Sequence, residues 1–162
     1  MLTSNISLKN FRLKTNNLRI KQHLKILFLN KNHVIQSMTK NYKDNFDKKK
    51  FNKYQKYKNL RLIGMGGSIL GTKAIFSFMR HKIKKNFIFV DNLNQNLKKD
   101  KKKYLNIAVS KSGNTIETIA NLNILIKKKE KNIFITENKK NYLNFLAQKL
   151  KADIIYHNNF IG

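Results

Sequence analysis

From Leu60 onward the chain alternates two kinds of segment, and this alternation constrains the fold more than any other feature. Five short apolar runs, "LRLIGM" (60–65), "FIFV" (87–90), "NIAVS" (106–110), "NIFIT" (132–136) and "DIIYH" (153–157), read as buried strands. Helical spacings lie between them. Leu70, Ala74, Ile75, Phe78 and Met79 form one stripe; Ile116, Ile119, Ala120, Leu122, Leu125 and Ile126 a second; Tyr142, Phe145, Leu146, Lys149 and Leu150 a third. Lys149 can run its aliphatic stem along apolar surface. Strand and helix in turn predict an α/β fold: a doubly wound parallel sheet of about five strands, flanked by helices and joined by right-handed crossovers. The polar segment 91–104 has no clear pattern.

Residues 1–58 read differently, as a helical N-terminal arm ahead of a domain spanning 59–162. Ile20, Leu24, Leu27, Phe28, Ile35 and Met38 suggest one helix broken near Asn30–Asn32. A lysine-rich segment follows, with Phe46, Phe51, Tyr54 and Tyr57 as anchors. The arm is expected to pack on the sheet or on a partner.

The 162 residues carry a formal net charge of +27, which taken alone suggests nucleic acid or an anionic membrane surface. The cations are nearly all lysine and are scattered, while asparagine is abundant and proline absent, as an AT-rich coding bias would produce. "KKDKKK" (98–103) reads as a solvated face. No nucleic acid or membrane partner is therefore expected. Cysteine is absent, so there is neither a disulfide framework nor a thiolate metal site. No apolar run approaches a bilayer span, and "MLTSNISLKN" lacks the long apolar block of a signal peptide, which fits a cytoplasmic protein.

Two strand–helix junctions concentrate hydrogen-bond donors. In "IGMGGSILGTKA" (63–74), Gly64, Gly66 and Gly67 allow positive φ and close approach of a ligand to the backbone. Ser68 stands where a helix should begin, able to cap it or to donate to an anion. Gly71 would allow tight helix–strand packing. The spacing is not that of a P-loop, because no Lys-Ser/Thr pair follows the glycines in the required place, nor of a full dinucleotide fingerprint, because Ile69 stands where a final glycine is needed. In "IAVSKSGNTIET" (107–118), Ser110, Ser112 and Thr115 offer hydroxyls, Lys111 a compact charge, and Gly113 a sharp turn before the positive end of a helix. A capping box of Asn114 and Glu117 would explain those two residues but not Ser110, Lys111 or Ser112. The whole set suits a dianionic phosphate monoester on a small molecule. Ligands of open parallel sheets sit beyond the strands' carboxyl ends, so the two junctions could share one.

"GMGGSILGTKA" and "SKSGNTIET" resemble the two signatures of the first sugar-isomerase (SIS) domain of the glucose-6-phosphate isomerase family, over roughly residues 60–162. Ser-x-Ser-Gly-x-Thr is common to phosphosugar-binding SIS domains; Lys111, Glu117–Thr118 and Gly66–Gly71 point to the isomerases. The resemblance implies an SIS fold, a homodimer, and aldose–ketose interconversion of glucose 6-phosphate and fructose 6-phosphate in glycolysis and gluconeogenesis, without a cofactor or metal. By position it implies that Ser68, Ser110, Lys111, Ser112 and Thr115 hold the substrate phosphate. Gly66, Gly67, Ile69, Gly113 and Asn114 would line the pocket, Ile69 replacing an acidic residue common there. Glu117 would orient a histidine or a substrate hydroxyl and not act as the base.

The proton moves between C1 and C2 through an enediol, so a carboxylate must reach that carbon. In the family the glutamate base, a histidine of the neighbouring subunit and a lysine lie in the later half. The chain ends at "HNNFIG", where the family continues into a Gly-Arg-aromatic-Ser segment and a second SIS domain. No catalytic residue is therefore expected within these residues, and little activity from them alone. His23, His33, His81 and His157 read as surface or capping residues, and Asp91 as the only other carboxylate at a strand's carboxyl end. A non-catalytic phosphosugar-binding module is the alternative reading, and a basic nucleic-acid-binding protein a third. Without the second half, an exposed apolar patch is expected near the C-terminal strand or the arm.

Overall fold

The computed structural model describes residues 18–30, 32–37, 42–43, 45–93 and 102–160. Met38 and much of the polar segment after Asp91 lie outside that range. The chain divides into two compact units, Met1–Lys43 and Asp44–Gly162.

In the first unit, α1 (Leu18–Leu29) and α2 (His33–Gln36) are separated where the sequence places a break. Asn30 and Asn32 make that break by turning their side chains onto the backbone. Asn30 Oδ1 accepts from Asn32 N at 3.0 Å, and Asn32 Oδ1 accepts from Val34 N at 2.9 Å as the N-cap of α2. The apolar side chains of α1, including Leu24, Leu27 and Phe28, are exposed.

The second unit holds all five strands: β1 (Asn59–Gly64), β2 (Asn86–Val90), β3 (Leu105–Val109), β4 (Lys131–Glu137) and β5 (Asp153–His157). Each falls within a residue or two of its apolar run. All pairs are parallel and the order is β2-β1-β3-β4-β5. The chain runs from β1 outward through α4 (Gly67–Met79) to β2, and from β3 the other way through α5 (Ile116–Leu125) and α6 (Tyr142–Lys149) to β5. The reversal between β1 and β3 opens a crevice at their carboxyl ends.

Alternation along the strands separates two cores. Ile63, Val90, Ala108 and Phe134 pack with Leu122 of α5 and with Leu143 and Ala147 of α6. On the other face Leu60, Leu105 and Ile133 pack with Phe51, the last residue of α3 (Lys48–Phe51), and with the half-buried Tyr54 and Tyr57. Asp47 caps α3, accepting from Lys49 N at 2.9 Å.

One helical face differs from expectation, and two others pack as expected but expose single residues. On α4 only Ile69 is buried, and Phe76 rests on Phe87 and Phe89 at ring-centroid distances of 4.9 and 5.5 Å. Leu70, Ile75, Phe78 and Met79 are exposed, and a Cβ on Gly71 would meet open space. The stripe read as the core face of α4 thus points outward, and Gly71 makes no close packing. Ile116 and Ile124 of α5 and Phe145 of α6 are likewise exposed, the last because Leu143 and Ala147 take the buried side. In the sheet unit the exposed apolar surface therefore concentrates on α4 rather than on the C-terminal strand.

Candidate functional site at the β1/β3 crevice

Parallel pairing places Gly64 opposite Val109, so the turns after β1 and β3 leave the same edge of the sheet side by side. The approach is close: a Cβ on Gly64 would come within 2.9 Å of Val109 O and 3.5 Å of Ser68 Cβ. Ser68, on the first turn, and the Ser110–Thr115 turn thus face one crevice.

The first turn is tight. Gly66 has φ 54°, a conformation that costs a residue with a side chain, and serves as N-cap of α4 with no side-chain hydrogen bond. Ser68 lies inside the first turn of α4, half-buried, its N–H donating to Met65 O at 3.1 Å. It does not cap the helix. Ile69 is wholly buried and its N–H donates to Gly66 O at 3.1 Å, so its side chain belongs to the core rather than to a pocket rim.

The second turn is a small hydrogen-bonded frame. Ser110 is buried; its hydroxyl bonds Thr115 Oγ1 at 3.0 Å and accepts from Gly113 N at 3.2 Å. Ser112 is exposed and its Oγ accepts from Asn114 N at 3.3 Å. Gly113 has φ 71°. Helix α5 begins one residue later than the capping-box reading requires: Thr115 is the N-cap, and its side chain makes no capping bond to the helix. Asn114 instead turns to the start of α6, its Oδ1 accepting from Tyr142 N at 2.9 Å. Glu117 stands half-buried in the first turn of α5.

The backbone N–H groups of Gly66, Gly67, Ser112 and Thr115 have no partner among the described residues. Those of the first turn of α5 are unpaired by the geometry of any helix start. Half-buried Lys111 adds its charge beside them. Donors without acceptors among the described residues, a lysine and a helix N-terminus are the elements from which an anion site can be built.

Sequence reasoning missed what holds this turn. Glu137, the last residue of β4, is a second carboxylate at this edge besides Asp91. Its N–H donates to Lys111 O at 3.1 Å, and Oε1 lies 3.9 Å from Lys111 Nζ. Lys139 pairs with the same carboxylate. The hydrogen bond from Lys139 holds the Glu137 pKa below the ordinary glutamate value, against burial, with Lys139, Lys111 and His157 adding charge attraction. Asp91 is paired with Lys73 of α4. Only the side of the strand on which a carboxylate emerges could have revealed Glu137, and its apolar run was read as stopping at Thr136. Beside this edge a cleft of about 670 Å³ opens at the ends of β4 and β5, lined by Glu137, Lys139, Tyr156 and His157 among others. Ser68 and the Ser110–Thr115 turn do not line it. His157 sits at the end of β5, its Nδ1 2.7 Å from Asn158 O. Among the described residues no three histidine, cysteine, aspartate or glutamate side chains group to hold a metal. No described helix is long and apolar enough to cross a membrane.

Known proteins resemble this chain in sequence and in fold. A glucose-6-phosphate isomerase of Borrelia garinii subsp. bavariensis is 39% identical over 90 residues, 48% of this chain and 17% of that protein. One from Methanocaldococcus jannaschii is 40% identical over 96 residues, 56% of this chain and 23% of that protein. This chain is similar to glucose-6-phosphate isomerases over about half its length. It spans only about a sixth to a quarter of those isomerases. Among solved structures, a hypothetical protein from Thermus thermophilus superposes with a TM-score of 0.57 at 26% identity, over 65% of this chain and 29% of that one. No family model matches the chain.

Proposed function

We propose that these residues are the phosphate-holding part of a glucose-6-phosphate isomerase. In this reading Ser68, Ser110, Lys111, Ser112 and Thr115 grip the 6-phosphate, and Gly66, Gly67, Gly113 and Asn114 line the pocket. The sugar then undergoes aldose–ketose isomerisation through an enediol, without a cofactor. The supporting observation is the Gly64–Val109 register, which sets two donor-rich turns around one crevice. The reaction belongs to glycolysis and gluconeogenesis, the compartment is the cytoplasm, and the working assembly is a homodimer.

The two carboxylates described at this edge, Asp91 and Glu137, are both engaged by lysines, so neither is offered as the base that moves the C2 proton. Glu117 has a supporting role. Residues 1–162 should therefore bind glucose 6-phosphate but turn it over very slowly. That engagement also favours the alternative, a non-catalytic phosphosugar-binding module.

Titration calorimetry with glucose 6-phosphate, glucose and inorganic phosphate tests the reading. Binding of both phosphorylated ligands but not of glucose, lost in Ser110→Ala with the fold intact, supports it. No binding, or equal binding of glucose, contradicts it. Isomerase turnover at a full-length enzyme's rate would overturn the statement that the proton-transfer groups are absent.

A further inference from the structure

The conformation of the Ser110–Thr115 turn is imposed from outside, by the loop between β4 and α6. A Cβ built on Gly113 would fall inside the carboxamide of Asn141, so Asn141 occupies the space that a side chain at 113 would take. From there its Nδ2 donates to Thr136 Oγ1 at 3.1 Å, and the wholly buried Thr136 hydroxyl donates to Lys111 O at 3.2 Å. Asn141 Oδ1 accepts from Asn144 N at 2.8 Å, capping α6. Two backbone bonds close the junction: Leu143 N to Gly113 O at 3.1 Å and Glu137 N to Lys111 O at 3.1 Å.

We infer that Asn141 is a positioning residue for the anion cradle. One face of its carboxamide braces Gly113 in its left-handed conformation. Its amide also reaches the Lys111 carbonyl through Thr136, fixing the peptide next to the donors of Ser112 and Thr115. Its capping bond to α6 makes the brace rigid. The inference deepens the phosphate-binding reading and rests on it for its ligand, though not for the geometry of the turn.

Serine at 141 separates the two roles, because it caps a helix about as well as asparagine but is too short to brace Gly113 or reach Thr136. Asn141→Ser in the full chain should melt close to wild type, while its affinity for glucose 6-phosphate falls about tenfold, the scale of one or two net hydrogen bonds. Asn141→Ala should lose both stability and affinity. Wild-type affinity in Asn141→Ser would overturn the inference and leave Asn141 a helix cap. If wild type itself binds no sugar phosphate, the functional reading fails, and amide hydrogen exchange decides the inference without ligand. Faster exchange at Gly113 and Asn114 in Asn141→Ser, with β4 unchanged, supports it; unchanged exchange overturns it.

Discussion

The two ends of the parallel sheet both carry polar residues, and they treat them in opposite ways. At the amino end Arg61, Asn106 and Asn132 stand in register across β1, β3 and β4. Arg61 donates to Asn106 Oδ1 at 3.2 Å; Asn106 Nδ2 donates to Asn132 Oδ1 at 2.9 Å and to Glu130 Oε2 at 2.8 Å. Tyr104 lies 4.2 Å from the guanidinium carbon, and Leu125 O accepts at 3.5 Å. Donors and acceptors answer one another within the protein. At the carboxyl end the hydroxyls of Ser110, Ser112 and Thr115 shape a turn in which the Ser112 and Thr115 N–H groups have no partner among the described residues. Among the described residues, the buried side-chain oxygens without partners, those of Thr118, Asn121 and Asn144, lie on the two helices that start from this end. Closed polar networks stabilise, whereas donors left open at a surface turn remain able to bind a ligand.

The largest expected effect falls on what the two ends share. Phe134, fully buried at mid-sheet, joins them through one core, and Phe134→Ala should cost about 3–5 kcal/mol in denaturant unfolding. Asn106→Ala attacks the amino end alone. It leaves a buried guanidinium and a carboxylate short of partners and should cost about 2–3 kcal/mol, while molecules that remain folded keep wild-type affinity for glucose 6-phosphate. Lys111→Ala attacks the carboxyl end alone: affinity should fall about tenfold or more, with stability moved by less than about 1 kcal/mol because the lysine is half exposed. If Asn106→Ala or Lys111→Ala moved both quantities together, the contrast would break.

Acid gives the smallest and most evenly shared effect. Glu137 at the carboxyl end and Asp153 at the amino end both have pKa values lowered in the fold. For Asp153, burial opposes the shift and is outweighed by hydrogen bonds from Lys53 and Tyr54, the latter at 2.7 Å. Tyr54 itself is raised, first by burial and then by that bond. Groups lowered in the fold contribute stability above their unfolded values and lose it as pH falls through the folded ones. Stability should therefore be flat at neutral pH and drop below about pH 4, the ordinary carboxylate range. Glu137→Gln and Asp153→Asn should each flatten part of that drop in acid titrations followed by circular dichroism.

The amino end was invisible in the sequence, whereas the carboxyl end was nearly legible. Ser110, Lys111, Gly113 and Thr115 lie within six residues, so their chemistry shows at once, and the five apolar runs mark their strands because the central parallel strands are covered on both faces and draw mostly apolar residues. Arg61, Asn106 and Asn132 are distant in the chain and meet only through register. Asn141 and Glu137 act across a loop, and nothing local marks them. The α4 stripe misled for a related reason: helical spacing reports an apolar face but not the direction in which it points, and Phe76, outside the stripe, met the sheet instead. Asn114 followed local capping logic on paper, yet Tyr142 N offered it a tertiary partner.

In the proposed reading two turns grip one phosphate at the β1/β3 crevice. Amide chemical-shift mapping of the full chain titrated with glucose 6-phosphate tests this most directly. The expected result is a saturable set of shifts confined to residues 64–68 and 110–118, absent in Lys111→Ala. Shifts centred on the lysines around Tyr104 and Glu130 at the amino end, or none at either turn, would contradict it.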